Sequence, residues 1–227
     1  LPIAHPVYKA FPRYEWSLKK LPQQAHERLY EPDLELLANS YSDVTRATRD
    51  SRNELETDAS HVSHLMSLAL PYAAERYPKL NQGKIALYCL LHDILEAYTG
   101  DTATLGISDL DHDAKQQSEQ LALIKLSDQF GMKWEELVRA VHDYEHLVDD
   151  EARFVKTFDK LDPSFTHFNN NGRQLIEKYG IQTKAEFIAM TQEATNRITY
   201  AGAFPALLDD REELLSRVAS HVPWTEK

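Results

Sequence analysis

A histidine from the segment holding His61 and His64, the adjacent pair His92–Asp93, and Asp159 are of the types that together grip a divalent cation. The adjacent pair is the most telling. It interrupts KIALYCLLHDILEAY, a stretch that is apolar on nearly every side and so marks a helix buried in the middle of a domain. Burying an imidazole and a carboxylate without partners is costly, so something must compensate. A divalent ion would satisfy both, since neutral imidazole and carboxylate are good ligands for it. The blander alternative is a hydrogen-bonded His–Asp pair at the wet end of the helix. Glu96 lies one turn beyond His92, on the same expected face. A carboxylate there can take a proton from an activated water or give one to a leaving group; alternatively it pairs with an arginine near the helix end.

Neighbouring residues on a helix point about 100° apart. His92 and Asp93 can therefore share an ion only if other helices supply ligands between them. His61 and His64, three positions apart, present one face of the preceding helical segment. Asp159 sits in FVKTFDKLDP, again within an apolar helical pattern. The order is His, His-Asp, Asp, each on its own helix, and a bundle can bring such faces together around a core site.

The pattern predicts helices nearly throughout: 32–41, 54–77, 84–98 stopped by Gly100, 111–130, 134–146, 151–167 interrupted by Pro163, and three more between 171 and 221. No strand alternation, repeat or low-complexity tract is evident. The irregular stretch TGDTATLGIS follows the buried helix. The expected fold is all-α: a single-domain helical bundle over residues 31–227, preceded by an N-terminal extension over 1–30 rich in proline, aromatic and basic residues.

The net charge of −11, with no Lys/Arg cluster longer than a pair, argues against polymeric nucleic acid as a partner. A small anion such as a nucleotide is compatible, because a metal and a few arginines suffice to hold it. No window has the roughly 18 uninterrupted apolar residues of a membrane span, and the first residues show no apolar h-region. The single cysteine, Cys89, lies in an apolar run, which suits a buried thiol in a reducing, cytoplasmic compartment.

The ordered set His61, His92–Asp93, Asp159 resembles the signature of the HD-domain superfamily of metal-dependent phosphohydrolases. LLHDILEAYTGD resembles the HDxxE…TGD segment of the YfbR-type 5′-deoxynucleotidases and their HD-containing relatives, and HDYEHLVDDEARFVKTFDKLD resembles the segment around their last aspartate. ETDASHVSH is similar to the segment carrying their first histidine ligand and places that ligand at His61. The likeness spans about residues 44–162 and implies an HD-type bundle with His61, His92, Asp93 and Asp159 as metal ligands. It further implies proton transfer by Glu96, nucleotide or water positioning by Asp101, and phosphate or sugar binding by Arg46, fifteen residues before His61. Asp101 has a bland alternative, capping the next helix; Arg46 has another, a surface arginine. Lys156, three residues before Asp159, reads as a supporting contact.

Three positions depart from the pattern: Ala47 stands where those enzymes carry a tryptophan, and Ser60 and Val62 flank His61. The first puts deoxyribose selectivity in question, and the others alter the ligand's surroundings. The implied activity is hydrolysis of nucleoside 5′-monophosphates by one divalent transition-metal ion, Mn²⁺, Co²⁺, Fe²⁺ or Zn²⁺, with Mg²⁺ less natural beside two imidazoles. A homodimer is implied by the likeness alone. One rival is release of triphosphate from deoxynucleoside triphosphates, with Arg13, Lys19, Lys20 or Arg173 holding the longer anion. The other is a non-catalytic, metal-bound nucleotide sensor. His112, His142, His146 and His167 lack ligand spacing, SDLDHD reads as a helix N-terminus, and Arg49 and Arg52 read as solvated ion pairs.

Overall fold

Apolar residues recurring every three or four positions do drive this chain into helices. The computed structural model describes residues 34–50, 52–102 and 108–225, so the expected extension over 1–30 lies outside the described residues. Helix α1 covers Leu34–Ser42. Strands β1, Thr45–Arg49, and β2, Leu55–Thr57, then pair antiparallel. The helices that follow are α2 (Asp58–Arg76), α3 (Gln82–Leu91), the short α4 (Glu96–Thr99), α5 (Asp109–Phe130) and α6 (Glu135–Glu145). Next come α7 (Asp150–Asn169), α8 (Arg173–Glu177) and α9 (Lys184–Asn196), then a 3₁₀ turn at Thr199–Ala203 and α10 (Pro205–His221).

Helix α7 packs against α2, α3, α6 and α10. Its Phe154 and Phe158 form one core with Leu65 of α2, Ile85 and Tyr88 of α3, and Leu207 of α10. A second core joins α1, α3, α5 and α6 through Leu37, Leu91, Leu126 and Val141. A third, Leu175, Phe187 and Val218, ties α8, α9 and α10 together. The functional residues lie where the first two cores meet, with Leu65 of α2 in one and Val62 in the other.

Three expectations need correcting. First, the strands: the periodicity predicts none, and predicts a helix from residue 54, but the chain folds a hairpin there. Strands of five and three residues are too short to show alternation. The turn between them is set by Asp50, whose carboxylate accepts from the backbone N–H groups of Arg52 and Glu54, and by Asn53 at φ 66°. The following helix starts late because Thr57 caps it, its hydroxyl accepting from Ser60 N–H while Ser60 Oγ accepts from Thr57 N–H. Second, Pro163 does not interrupt α7, which runs through it; the proline only withholds the amide that would bond the carbonyl of Asp159, four residues back. Third, the helix expected over 84–98 breaks at His92.

Candidate metal centre

Helix α3 ends at Leu91 and the chain tightens. Backbone bonds Ile94 N–H to Leu91 O, Glu96 N–H to Asp93 O, Ala97 N–H to Ile94 O and Tyr98 N–H to Leu95 O each span three residues. The carbonyl of Cys89, one turn from the helix end, accepts from His92 Nδ1 at 2.8 Å. Such 3₁₀ turns inside a helix often mark functional sites, and they eclipse residues three apart. Glu96 is thereby brought to Asp93 rather than to His92, the face the helical expectation gave it. Gly100 closes α4 at φ 71°, a left-handed value that suits glycine.

The four expected ligands converge. His61 Nε2 stands 3.2 Å from His92 Nε2 and 3.2 Å from Asp159 Oδ1, and His92 Nε2 stands 2.8 Å from Asp93 Oδ2. One ligand atom from each of His61, His92, Asp93 and Asp159 lies within 4.8 Å of the others. Metal–ligand bonds of about 2.1 Å put neighbouring ligands about 3 Å apart, so this set fits one divalent ion. The tautomers fit too. His92 donates Nδ1–H to the Cys89 carbonyl, and His61 Nδ1 lies 3.1 Å from Asp162 Oδ2, so both Nε2 lone pairs face the centre. Asp162 also meets His64 Nδ1 at 2.7 Å. His64 thus neighbours the cluster without joining it, and the histidine of α2 that reaches the cluster is His61.

Electrostatics follow from burial. In the metal-free protein burial opposes a charge on His61, but hydrogen bonds to Asp159 and Asp162 prevail and raise it to about 10. Burial likewise resists ionisation of Asp93, yet His92 and Arg46 hold its carboxyl well below the usual range. Asp159 is held low against burial by Lys160, whose Nζ donates to its Oδ2 at 2.8 Å, and by the two histidines. Glu96 goes the other way: burial, then Asp93, Asp101 and Asp58, push its carboxyl up to about 9 while Lys115 opposes.

Arg46 is no surface arginine. From β1 its Nη1 donates to Asp93 Oδ2 at 2.5 Å and to Asp58 Oδ1 at 3.1 Å. Asp58, fully buried at the start of α2, is a site residue that the sequence reading missed; only its spacing of three from His61 hinted at it. Among the described residues Asp101 caps no helix, and it does not join the ligand cluster. Its Oδ2 accepts from the Ala47 N–H at 2.5 Å, while Gln174 Nε2 and Lys178 Nζ donate to the Ala47 carbonyl at 2.6 and 3.0 Å. Ala47 is clamped on both sides, and Arg46 is positioned by it. Gln174 and Lys178 were unreadable as site residues because they lie beyond the motif segments.

A cleft of about 440 Å³ opens beside the centre, lined by Arg46, Ala47, Arg49, Asp101, Gln174 and Lys178 among others. Arg49 faces this cleft and donates to the Asn53 carbonyl at 2.8 Å, and among the described residues the ion pair expected for it is not formed; Arg52 does pair with Asp50 and Glu54 in solvent. Lys156 Nζ sits 4.9 Å over the Tyr144 ring, which packs against His92, in the supporting place expected of it. His142 of α6 stacks on His146 just past the helix end, His167 is buried with burial and Lys178 lowering it to about 4, and none joins the ligand cluster. Ser108 caps α5, confirming SDLDHD as a helix start. Burial pushes the Cys89 thiol up to about 12, so it is an unreactive packing group.

An all-α domain that gathers two histidines and two aspartates from three segments is the architecture of a helical metal-centre protein. Residues 39–200 match the HD domain family, and the chain belongs to it. Among solved structures it resembles a predicted metal-dependent phosphohydrolase from Magnetospirillum magnetotacticum, with a TM-score of 0.66 and 22% identity over 83% of this chain and 93% of that one. It also matches a conserved hypothetical protein from Pyrococcus furiosus, with a TM-score of 0.49 and 19% identity over 73% of this chain and 98% of that one. No curated protein matches the chain. No described helix is long and apolar enough to cross a membrane.

Proposed function

We propose that this HD-domain protein is a metal-dependent phosphohydrolase that cleaves nucleoside 5′-monophosphates to nucleoside and phosphate. The observation that carries the reading is the joint placement of three things: four converging ligands, a buried carboxyl at Glu96, and a guanidinium at Arg46 reaching from the cleft to Asp93. When bound, the divalent ion supplies Lewis acidity toward a phosphate oxygen and lowers the pKa of water.

The chain's own residues do the rest. Asp162 and the Cys89 carbonyl hold both imidazoles with Nε2 inward. Arg46 binds the phosphate dianion, which suits its fork of donors. Glu96 moves the proton: its buried carboxyl lies beside Asp93, placed to take one from water or give one to the leaving 5′ oxygen. The leaving nucleoside occupies the cleft beside Ala47. Arg49 and Lys178 in the same cleft favour a second reading, a nucleoside triphosphate whose longer anion they would hold. The resemblance to YfbR-type enzymes and the retention of Glu96 support the monophosphate.

The test is phosphate release from ribo- and deoxyribonucleoside 5′-mono- and triphosphates by EDTA-stripped protein given Mn²⁺, Co²⁺ or Mg²⁺, with Asp93→Ala as control. Metal-dependent orthophosphate from monophosphates, absent in the variant, supports the reading. Tripolyphosphate instead transfers it to the second reading, and inactivity on the whole panel overturns both.

A further inference from the structure

Tyr41, in the last turn of α1, is a buried polar residue that the centre described above leaves unused. It is 7% exposed, and among the described residues its hydroxyl has no hydrogen-bond partner. Buried hydroxyls normally find a partner, and one that does not is a net cost to the fold. Phenylalanine would fill the same space without that cost. The oxygen is therefore not explained by stability, and its surroundings point to another use.

The ring belongs to the core of Val62, Leu91, Ile94 and Leu95, which flank His61, His92, Asp93 and Glu96 along the chain. The backbone ties Tyr41 to the same place. Its carbonyl accepts from Val44 N–H at 3.2 Å, and the Val44 carbonyl accepts from Asp58 N–H at 3.0 Å. The phenol thus stands on the side of the centre held by Arg46, Asp58, Asp93 and Glu96, and it feels the charge of all four. Burial, then Asp93 and Asp58, push its pKa up, so it stays a neutral donor.

A phosphate dianion entering beside these carboxylates must be met by donors. Arg46 Nη1 is engaged by Asp58 and Asp93. Lys115 Nζ stands 3.7 Å from Glu96 Oε1 and 3.1 Å from Glu119 Oε1. Arg46 Nε and Tyr41 Oη are not so engaged: both are buried and without a partner among the described residues. One charged and one neutral donor on the same edge suit an oxyanion, and each gains the bond it lacks.

We propose that Tyr41 Oη is a second donor, beside Arg46, to the phosphoryl oxygens of the substrate. The inference rests on the phosphohydrolase reading but not on the nucleoside, because the contact is to the phosphate alone.

Tyr41→Phe removes one oxygen and keeps the packing, and inorganic orthophosphate is the probe. It is titrated calorimetrically into full-length wild type and variant loaded with Mn²⁺. Mn²⁺ affinity is read by chelator competition, and the melting temperature of the EDTA-stripped proteins by scanning calorimetry. Loss of one hydrogen bond is expected to weaken orthophosphate binding about 2- to 10-fold. Mn²⁺ affinity should be unchanged, and the variant should melt no lower than the wild type. Equal orthophosphate affinity in the two proteins overturns the proposal. So does a variant that melts lower, fails to fold or loses Mn²⁺ affinity in step, since the hydroxyl would then support the fold or the centre instead. The outcome is separate from the nucleotide panel: a protein that cleaves no nucleotide can still show the loss of orthophosphate affinity.

Discussion

Asp162 Oδ2 lies 3.1 Å from His61 Nδ1, on the side of the imidazole opposite the ligand cluster. Among the described residues Asp162 is seen against no other member of the cluster, yet it settles which nitrogen of His61 faces the cluster. Its other oxygen is taken by His64, so the carboxylate is itself braced.

Replacing it should therefore loosen the metal more than the chemistry. Asp162→Asn is expected to weaken divalent-metal affinity roughly 10- to 100-fold, the range typical of such outer contacts, while turnover at saturating metal changes far less. Competition against a chromophoric chelator reads the affinity. An unchanged dissociation constant would show that Asp162 does not orient His61.

Metal binding should be strongly pH-dependent. His61 titrates near 10 in the metal-free protein and must lose its proton to coordinate, so affinity should rise with pH from 6 to 9, by up to about tenfold per unit for one proton. Stability of the stripped protein should move oppositely. His61 and Glu96 both have folded values raised above their ordinary ones, to about 10 and about 9. Stability from His61 is complete below about 6.5 and drains away toward 10, and that from Glu96 is complete below about 4.5 and drains away toward 9. The stripped protein should thus melt lower at pH 9 than at pH 6, and the upward shift on adding Mn²⁺ should be larger at pH 9. Scanning calorimetry that found equal shifts at both pH values would contradict these protonation states.

Arg46→Ala removes the guanidinium from Asp93 and Asp58 and from the substrate phosphate. Charged hydrogen bonds of this kind are worth about 1.5–3 kcal/mol, so kcat/KM should fall roughly 10- to 100-fold. Arg46→Lys should recover only part, since an ammonium lacks the fork. Steady-state kinetics with full activity in Arg46→Ala would remove Arg46 from the site.

Glu96→Gln keeps shape and loses the proton. A positioned acid–base group contributes about 10²- to 10⁴-fold, and kcat should drop by that order while the His61–His92–Asp93–Asp159 set still binds its ion. Retained turnover would transfer the proton role to another group.

Ala47 leaves the cleft open where the YfbR-type enzymes carry a tryptophan. The wild type should hydrolyse ribo- and deoxyribonucleotides at similar kcat/KM, and Ala47→Trp should favour the deoxyribo form. Equal use of both sugars by that variant would show that position 47 does not read the sugar.

The convergence of His61, His92, Asp93 and Asp159 was legible because most of them are anomalous where they stand: an imidazole and two carboxylates in apolar helical stretches demand compensation, whatever the fold. The helical class was legible for the same reason, from the spacing of residues such as Leu65, Ala69 and Tyr88. Asp58 was not, because an acid at the first turn of a helix is ordinary in sequence, and only the approach of Arg46 and Asp93 makes it part of the site. The hairpin carrying Arg46 was too short to show a period. Gln174 and Lys178 reach Ala47 across 127 and 131 positions, and no local pattern encodes contacts of that range. The break after Leu91 was hidden as well, since nothing in CLLHDILEA opposes a continuous helix.

Pro163 withholds one rung of α7 directly behind Asp159. A helix with every rung in place is a stiff rod, and a ligand riding on it keeps a fixed radius about its ion. With the rung below it missing, Asp159 is expected to have more play than its neighbours on α7, which is buried along Phe154, Phe158 and Leu161. Such play at one member of the cluster is expected to reduce the dependence of metal affinity on ionic radius.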